Sequence, residues 1–116
     1  MPDPSPDGPV RLCALLWAVP GRRDELRAYE DDVLRVLAAH GGVVLARERR
    51  APAPDDDRAG GDGGGDLHAP PDEVHVLDLP TRAALEAFRA DPRRSALDPR
   101  REAALARSVV FEVAPS

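Results

Sequence analysis

Four residue types are missing from this chain, which has no Lys, Asn, Gln or Ile. Every basic residue is therefore Arg, a bias that we attribute to a GC-rich genome. The single cysteine, Cys13, can form neither an internal disulfide nor a thiolate zinc cluster, which fits a reducing compartment. No run approaches the roughly 18 consecutive apolar residues of a membrane span, and the N-terminus lacks the regions of a signal peptide. We therefore expect a cytoplasmic location.

Negative charge is concentrated in one segment of the chain, whose 116 residues carry a formal net charge of -5. Of the 21 acidic residues and 16 arginines, six acids and one arginine lie in residues 51–72, so the remainder is electrically neutral. Nucleic-acid binding needs clustered cations that displace counterions from phosphate, and an anionic membrane surface also attracts basic segments. We expect neither a nucleic acid nor a membrane as a partner.

Two segments have too few apolar side chains to pack. Residues 1–9 carry four prolines, and residues 51–72 consist mainly of Pro, Gly, Asp and Ala. We expect the first to be a disordered lead and the second a flexible acidic loop, because neither can bury enough surface to offset the entropy of ordering. The rest of residues 10–114 is expected to form a single domain.

The Asp and Gly residues of the acidic loop suggest a metal site only at first sight. Ala59 stands where a calcium loop starting at Asp55 needs its fifth ligand. His68 and His75 are not spaced as in any zinc site. No metal site is therefore predicted.

Hydrophobic periodicity predicts the main secondary-structure elements. Residues 11–19 are apolar on both alternating faces and end at a Pro-Gly pair, as in a buried strand. Apolar positions at helical spacing over residues 24–40 predict the longest helix, and two glycines end it. The other predicted elements are a strand at 43–46 whose polar continuation at 47–50 runs into solvent, a strand at 73–79, a helix capped by Thr81 that runs to residue 90, a short helix from 98 to about 107, and a strand at 108–113.

The resulting order, β-α-β-β-α-β, is typical of the α+β class. It predicts a ferredoxin-like plait, a four-stranded antiparallel sheet with its helices on one face. The first strand is nevertheless apolar on both faces, with Leu12 and Ala14 on one and Cys13 and Leu15 on the other. One copy would leave an apolar patch in water, so we expect a homodimer joined through the sheet.

The order of several short motifs resembles a known superfamily. The motifs are PGRR at 20–23 before the long helix, HGG at 40–42, DLPT at 78–81 and ADPRRSAL at 90–97. Over residues 11–113, apart from the acidic loop, the chain resembles the dimeric alpha-beta barrel superfamily. It is most similar to a branch of small bacterial domains of unknown function, and more distantly to antibiotic-biosynthesis monooxygenases.

The resemblance implies a homodimeric barrel with a small-molecule cleft between sheet and helices in the members that are enzymes. Monooxygenases of this superfamily need no cofactor and place Asn, Trp, Tyr or His around the substrate. This chain has no Asn, and Trp17 is its aromatic candidate for such a part. No cofactor is expected.

His40 is the sharpest single candidate in the sequence. An imidazole on the apolar stripe of the long helix could act as an acid or base beside a cleft. Alternatively, His40 only packs at the helix C-terminus, where the helix dipole favours it. The candidate catalytic residues are accordingly His40, Trp17 and Asp78.

Further polar residues are candidates for ligand binding. Asp78 and Glu112 each share a strand face with valines, so they either line a cavity beside the sheet or lie at exposed strand ends. Arg93 belongs to two arginine pairs, 93–94 and 100–101, which either clamp a substrate carboxylate or form a solvated face.

Two classes of function remain open at this stage. One is cofactor-free binding or transformation of a small organic molecule, including a monooxygenase-like enzyme of secondary metabolism. The other is a non-enzymatic dimeric interaction module. A closed pocket that carries His40 or Trp17 would favour the first class, and a filled cavity would favour the second.

Overall fold

The computed structural model describes residues 8–52 and 69–114. Its longest helix has 17 residues, and none of the helices in these ranges is long and apolar enough to cross a membrane. The elements in chain order are β1 (Val10–Ala18), α1 (Arg23–Ala39), β2 (Val43–Arg49), β3 (Glu73–Leu79), α2 (Arg82–Arg89), α3 (Pro92–Ser95), α4 (Asp98–Ala104) and β4 (Leu105–Val113).

The four strands form one antiparallel sheet in the order β2-β3-β1-β4. β1 is central, and its residue Ala14 lies opposite His75 of β3 on one side and Val110 of β4 on the other. This is the strand order of a ferredoxin-like plait, so the fold class predicted from the sequence is confirmed.

The hydrophobic core lies between the helices and one face of the sheet. Leu12, Ala14 and Leu16 of β1 point into it, where Leu37 of α1 and Leu85 of α2 are almost completely buried. The opposite face, which we call the open face, has no helix over it among the described elements. Its apolar residues include Cys13, Leu15, Val74, Val76, Val109 and Phe111.

The helix termini follow the local chemistry of the sequence. The Thr81 hydroxyl accepts a hydrogen bond from the backbone N–H of Ala84 and caps α2 as predicted. Gly41, just after α1, has φ = 80°, a left-handed conformation that favours glycine. A Cβ at the next residue, Gly42, would collide with the buried side chain of Leu37, so glycine is required there by close packing.

The boundaries after α2 differ from the predicted ones. Asp91 accepts a hydrogen bond from the backbone N–H of Arg93 and Pro92 occupies the first turn, so the short helix α3 forms where the sequence indicated only a break. β4 starts at Leu105, about three residues earlier than predicted. The chain reverses early because the Ala104 carbonyl is already engaged by the N–H of Val19.

The second half of β2 differs in part from the prediction. The sequence predicts that residues 47–50 run into solvent, but Arg47 has only 20% of its side chain exposed. A β-bulge between Val44 and Ala46 shifts the register and places Arg47 opposite His75, on the face that the helices cover. Glu48 and Arg49 are exposed as expected, but so are the apolar Val43, Val44 and Leu45 at the start of the strand.

The expected lead and acidic loop fall largely outside the described ranges, which leave out residues 1–7 and 53–68. The expectation of a flexible loop is wrong at its last residue, because Asp72 is held against the folded domain. Its N–H donates to the carbonyl of Leu16, and its carboxylate accepts from the N–H of Ala18 at 2.8 Å. The sequence pattern missed this because a charged residue after two prolines is typical of a loop.

Candidate functional site

A cleft of about 170 Å³ lies between the helix-facing side of the sheet and the helices. Its floor is apolar and comes from Leu12 and Ala14 of β1 and Leu77 of β3. An engineered apolar cavity of about 150 Å³ holds benzene, so the cleft is large enough for a molecule with one ring. Its polar lining consists of Tyr29, Glu30, His75, Arg89, Arg94, Arg101 and Ser108.

A buried imidazole lies between two carboxylates at one side of the cleft. Only 1% of the His75 side chain is exposed, and its Nε2 lies 2.8 Å from Oε1 of Glu73. Its Nδ1 lies 3.8 Å from Oε1 of Glu30. Because an ionised carboxylate only accepts hydrogen bonds, the contact with Glu73 assigns the ring proton to Nε2 and leaves Nδ1 towards Glu30.

Glu30 has a perturbed acidity. Burial raises its pKa to about 6, with a further increase from the charge of Glu73 and an opposing effect from His75. The side chain lines the cleft and is 9% exposed. Glu30 is thus a carboxyl group that exchanges its proton close to neutral pH within reach of a bound molecule.

Glu73 is shifted in the opposite direction. Burial alone would raise its pKa, but the hydrogen bond with His75 and the charge of Arg47 outweigh burial and hold the pKa of Glu73 below its usual value. Arg47 Nε lies 3.3 Å from Glu73, and its Nη1 lies 2.6 Å from Asp31 of α1. The pKa values of two neighbouring carboxyl groups are therefore shifted in opposite directions, an arrangement common to acid–base sites.

The mouth of the cleft is cationic. The Arg94 guanidinium stacks on Phe88 at 5.2 Å from the ring centre, and Arg101 donates to the hydroxyl of Ser108 at 3.4 Å. Burial raises the pKa of Tyr29, and the positive charges of Arg101 and Arg94 partly lower it again. Arg94 and Arg101 therefore project positive charge towards the same buried phenol.

His40 lies elsewhere. It follows the last residue of α1, and its Nε2 lies 2.8 Å from Oδ2 of Asp91, which Arg93 also holds at 2.7 Å. The hydrogen bonds from Arg93 and His40 hold the pKa of Asp91 far below its usual range. His40 and Arg93 thus join the end of α1 to α3, and neither lines the cleft.

The remaining candidates are also separated from the cleft. The Trp17 indole donates to the Ala69 carbonyl at 2.9 Å, and its ring carries the guanidinium of Arg107 at 4.6 Å. Asp78 is on the open face and binds Arg11 at 2.8 Å. Glu112 has an exposed ion pair with Arg82 at 2.7 Å. The structure brings none of the three together.

Sequence reasoning missed Glu30 and His75, although their positions carried a signal. Glu30 follows Leu26 by four residues and precedes Val33 by three, so it lies on the buried stripe of α1. His75 lies on the same buried face of β3 as Leu77 and Leu79, because the three residues are spaced two apart. A charged residue in phase with apolar residues was the signal that marked this site.

A second groove, of about 320 Å³, opens near the start of α1. Part of its charged lining is paired within the groove, since Asp72 lies 2.9 Å from Arg23 and 3.0 Å from Arg50. Across residues 8–52 and 69–114, no group of three or more His, Cys, Asp or Glu is arranged to hold a metal ion. The candidate site is therefore the smaller cleft, which combines an apolar floor with titratable groups.

Solved structures similar to this chain include a protein of unknown function from Rhodopseudomonas palustris, with 20% sequence identity, a TM-score of 0.72, and 95% of this chain and 84% of that chain covered. A dabb family protein with a ferredoxin-like fold from Mesorhizobium loti is 15% identical, with a TM-score of 0.56 and coverage of 94% and 98%. A candidate antibiotic biosynthesis monooxygenase from Bacteroides thetaiotaomicron is 12% identical, with a TM-score of 0.64 and coverage of 96% and 92%.

The chain shares their ferredoxin-like fold. Two of these neighbours, the dabb family protein and the candidate antibiotic biosynthesis monooxygenase, carry names from the groups that the sequence motifs resemble. No protein-family model and no curated protein matches the sequence. At these identities the likeness establishes the fold, and the function has to be argued from the cleft.

Proposed function

We propose that the protein binds a small organic molecule in the cleft and transfers a proton on it without a cofactor. The observation that carries this proposal is Glu30, a carboxyl group with a pKa raised to about 6 that lines an apolar cleft beside a buried histidine. Acid–base catalysis is most efficient when the pKa of the catalytic group lies near the ambient pH. Glu30 meets this condition in the cytoplasm, where we place the protein.

In the proposed reaction the Glu30 carboxylate removes a proton from the bound molecule and returns it to another atom. His75 lies beside Glu30, with its Nδ1 3.8 Å from Glu30 Oε1, and it opposes the effect of burial on the pKa of Glu30. Glu73 fixes the ring of His75, and Arg47 keeps Glu73 ionised. His75, Glu73 and Arg47 thus position and tune the one group that contacts the ligand.

The alternatives from the sequence are a monooxygenase-like enzyme of secondary metabolism and an interaction module. A filled cavity would favour an interaction module, whereas this cleft is unfilled. Neither His40 nor Trp17 lines it, and its titratable groups are other residues, among them Glu30 and His75. The fold likeness to a candidate monooxygenase is compatible with the first alternative but assigns no residue to it. Proton transfer is the chemistry for which the cleft supplies a group.

Ala14→Leu is expected to weaken ligand binding strongly, because the larger side chain occupies the floor of the cleft. The measurement is a titration of 15N-labelled protein with single-ring aromatic fragments, followed through amide chemical shifts. Wild-type protein should show saturable shifts at cleft residues, and Ala14→Leu should bind at least about tenfold more weakly. Ala28→Leu, on the exposed side of α1, is the matched control. Equal binding by Ala14→Leu, or shifts confined to other surfaces, would contradict the proposal.

We further propose that the protein is a homodimer joined through the open face. Leu15 and Val109 lie side by side there and are only half-buried in one chain, and Phe111 is 45% exposed. A second copy related by a two-fold axis presents the same apolar surface and covers both faces at once.

Leu15→Glu should therefore convert the protein from a dimer to a monomer, because it places a charge in the centre of the open face. Sedimentation at micromolar concentration measures the change. The wild type should sediment as twice the 12.5 kDa chain. Val44→Glu, on the helix-facing side at the sheet edge, should remain dimeric. A monomeric wild type would end the dimer proposal.

A further inference from the structure

The arginines at the mouth of the cleft point to the chemical class of the ligand. We infer that the cleft takes a monocyclic organic anion, with its ring on the apolar floor and its carboxylate between Arg94 and Arg101. This inference rests on the proposed function, because it takes the cleft as the ligand site.

The first observation is an imbalance of charge around the cleft. Its lining contains three arginines, Arg89, Arg94 and Arg101, and a single carboxyl group, Glu30. Arg89 is partly balanced by Glu86 at 4.0 Å. Among the described residues, Arg101 has a neutral hydroxyl as its hydrogen-bond partner, whereas its neighbour Arg100 is ion-paired with Asp32. The charge at the mouth is therefore left for a ligand to neutralise.

The second observation concerns Arg94, whose Nε is buried and has no hydrogen-bond partner in the described part of the chain. Nε is covered by protein atoms, so the guanidinium edge left for a ligand is the one formed by the two Nη groups. Stacking on Phe88 fixes the plane of that edge. A carboxylate matches that edge with two parallel hydrogen bonds.

The third observation is the shape of the apolar part. The cleft volume of about 170 Å³ suits one ring, and Leu12, Ala14 and Leu77 provide the surface on which it lies. Repulsion from Glu30 keeps an anionic group away from the inner end of the cleft. The ring is therefore directed inward and the carboxylate outward, which presents the body of the molecule to the catalytic carboxyl group.

The first test compares benzoate with benzamide, which has the same size and shape but no charge. Both are titrated into wild-type protein, and dissociation constants are measured from amide chemical shifts. We expect benzoate to bind about tenfold or more tightly than benzamide, and added salt to reduce the difference.

The second test removes the charges one at a time. Arg94→Met and Arg101→Met should each weaken benzoate binding by about tenfold while changing benzamide binding by less than about twofold. Arg94→Lys, which keeps the charge but loses the planar donor pair, should fall between Arg94→Met and the wild type. Arg100→Met is the matched control, because Arg100 lies on the same helix as Arg101 and is paired with Asp32.

The outcomes separate the two proposals. If benzoate and benzamide bind in the cleft with equal affinity, or if Arg94→Met binds benzoate as well as the control does, the anion inference is wrong and the proposed function stands. If no single-ring fragment, charged or neutral, perturbs cleft residues of the folded wild-type protein, both are wrong. Binding of benzoate at the charged groove near α1 instead would also overturn the inference.

Discussion

Arg47→Met is expected to lower the free energy of unfolding by about 3 kcal/mol at pH 7, a fall in Tm on the order of 10–20 °C. Arg47 lies beside Glu73, which has only 4% of its side chain exposed, and it also donates to Asp31 and to the Arg27 carbonyl. Methionine keeps the aliphatic packing but leaves the Glu73 carboxylate buried with His75 as its remaining partner. Chemical denaturation with a calorimetric Tm measures the loss.

The effect should depend on pH in a defined direction. The pKa of Glu73 is lowered in the folded protein, so its pairing stabilises the fold above the unfolded pKa of 4.5 and this contribution is lost as the pH falls through the folded pKa. The difference between wild type and Arg47→Met should therefore shrink in acid. Arg49→Met, exposed on the same strand, should change stability by less than about 0.5 kcal/mol. A similar loss in both variants would contradict the network.

Glu30→Gln is expected to stabilise the protein at pH 8 by about 2 kcal/mol while removing proton transfer. The pKa of Glu30 is raised by burial from 4.5 to about 6, so the folded state favours the protonated form. That stability is fully present below pH 4.5 and is lost as the pH rises through about 6. The neutral amide escapes this loss, so the two proteins should differ at pH 8 and be nearly equal at pH 4.

Activity should change in the opposite direction to stability. For any ligand that the wild type transforms, Glu30→Gln should lower turnover by about 100-fold or more and leave the dissociation constant within about threefold. Glu102→Gln, exposed on α4, is the control for loss of an acidic residue elsewhere. A less stable Glu30→Gln at pH 8, or full turnover, would show that Glu30 is a structural anion.

The fold could be predicted because its signals are local. The stripe on α1, the alternation on β1 and β3 and the cap at Thr81 are each properties of a few neighbouring residues. The start of β4 could not be placed because it depends on the contact between Ala104 and Val19, which are far apart in sequence. The burial of Arg47 could not be predicted either, because it depends on a bulge in β2 for which the sequence carries no signal.

The candidate site also combines features that local sequence shows with features that depend on residues far apart in the chain. His40 is the polar member of an apolar stripe, but its orientation is set by Asp91, the N-cap residue of α3, which lies 51 residues further along the chain. Glu30 and His75 satisfy the same pattern, and what distinguishes them is that α1 and β3 meet across the cleft. Periodicity identifies which side chains face inward, and only the packing of elements decides which of them line a cavity.

The most direct test of the account is the titration of the Glu30 side-chain carboxyl by 13C NMR in the wild-type protein, with Glu30→Gln used to assign the resonance. We predict a midpoint near pH 6, because burial raises the pKa of Glu30 to about 6. We also predict that this resonance shifts when benzoate is added. A midpoint near the ordinary value of 4.5, with no response to benzoate, would contradict the claim that this cleft holds a carboxyl group tuned for proton transfer.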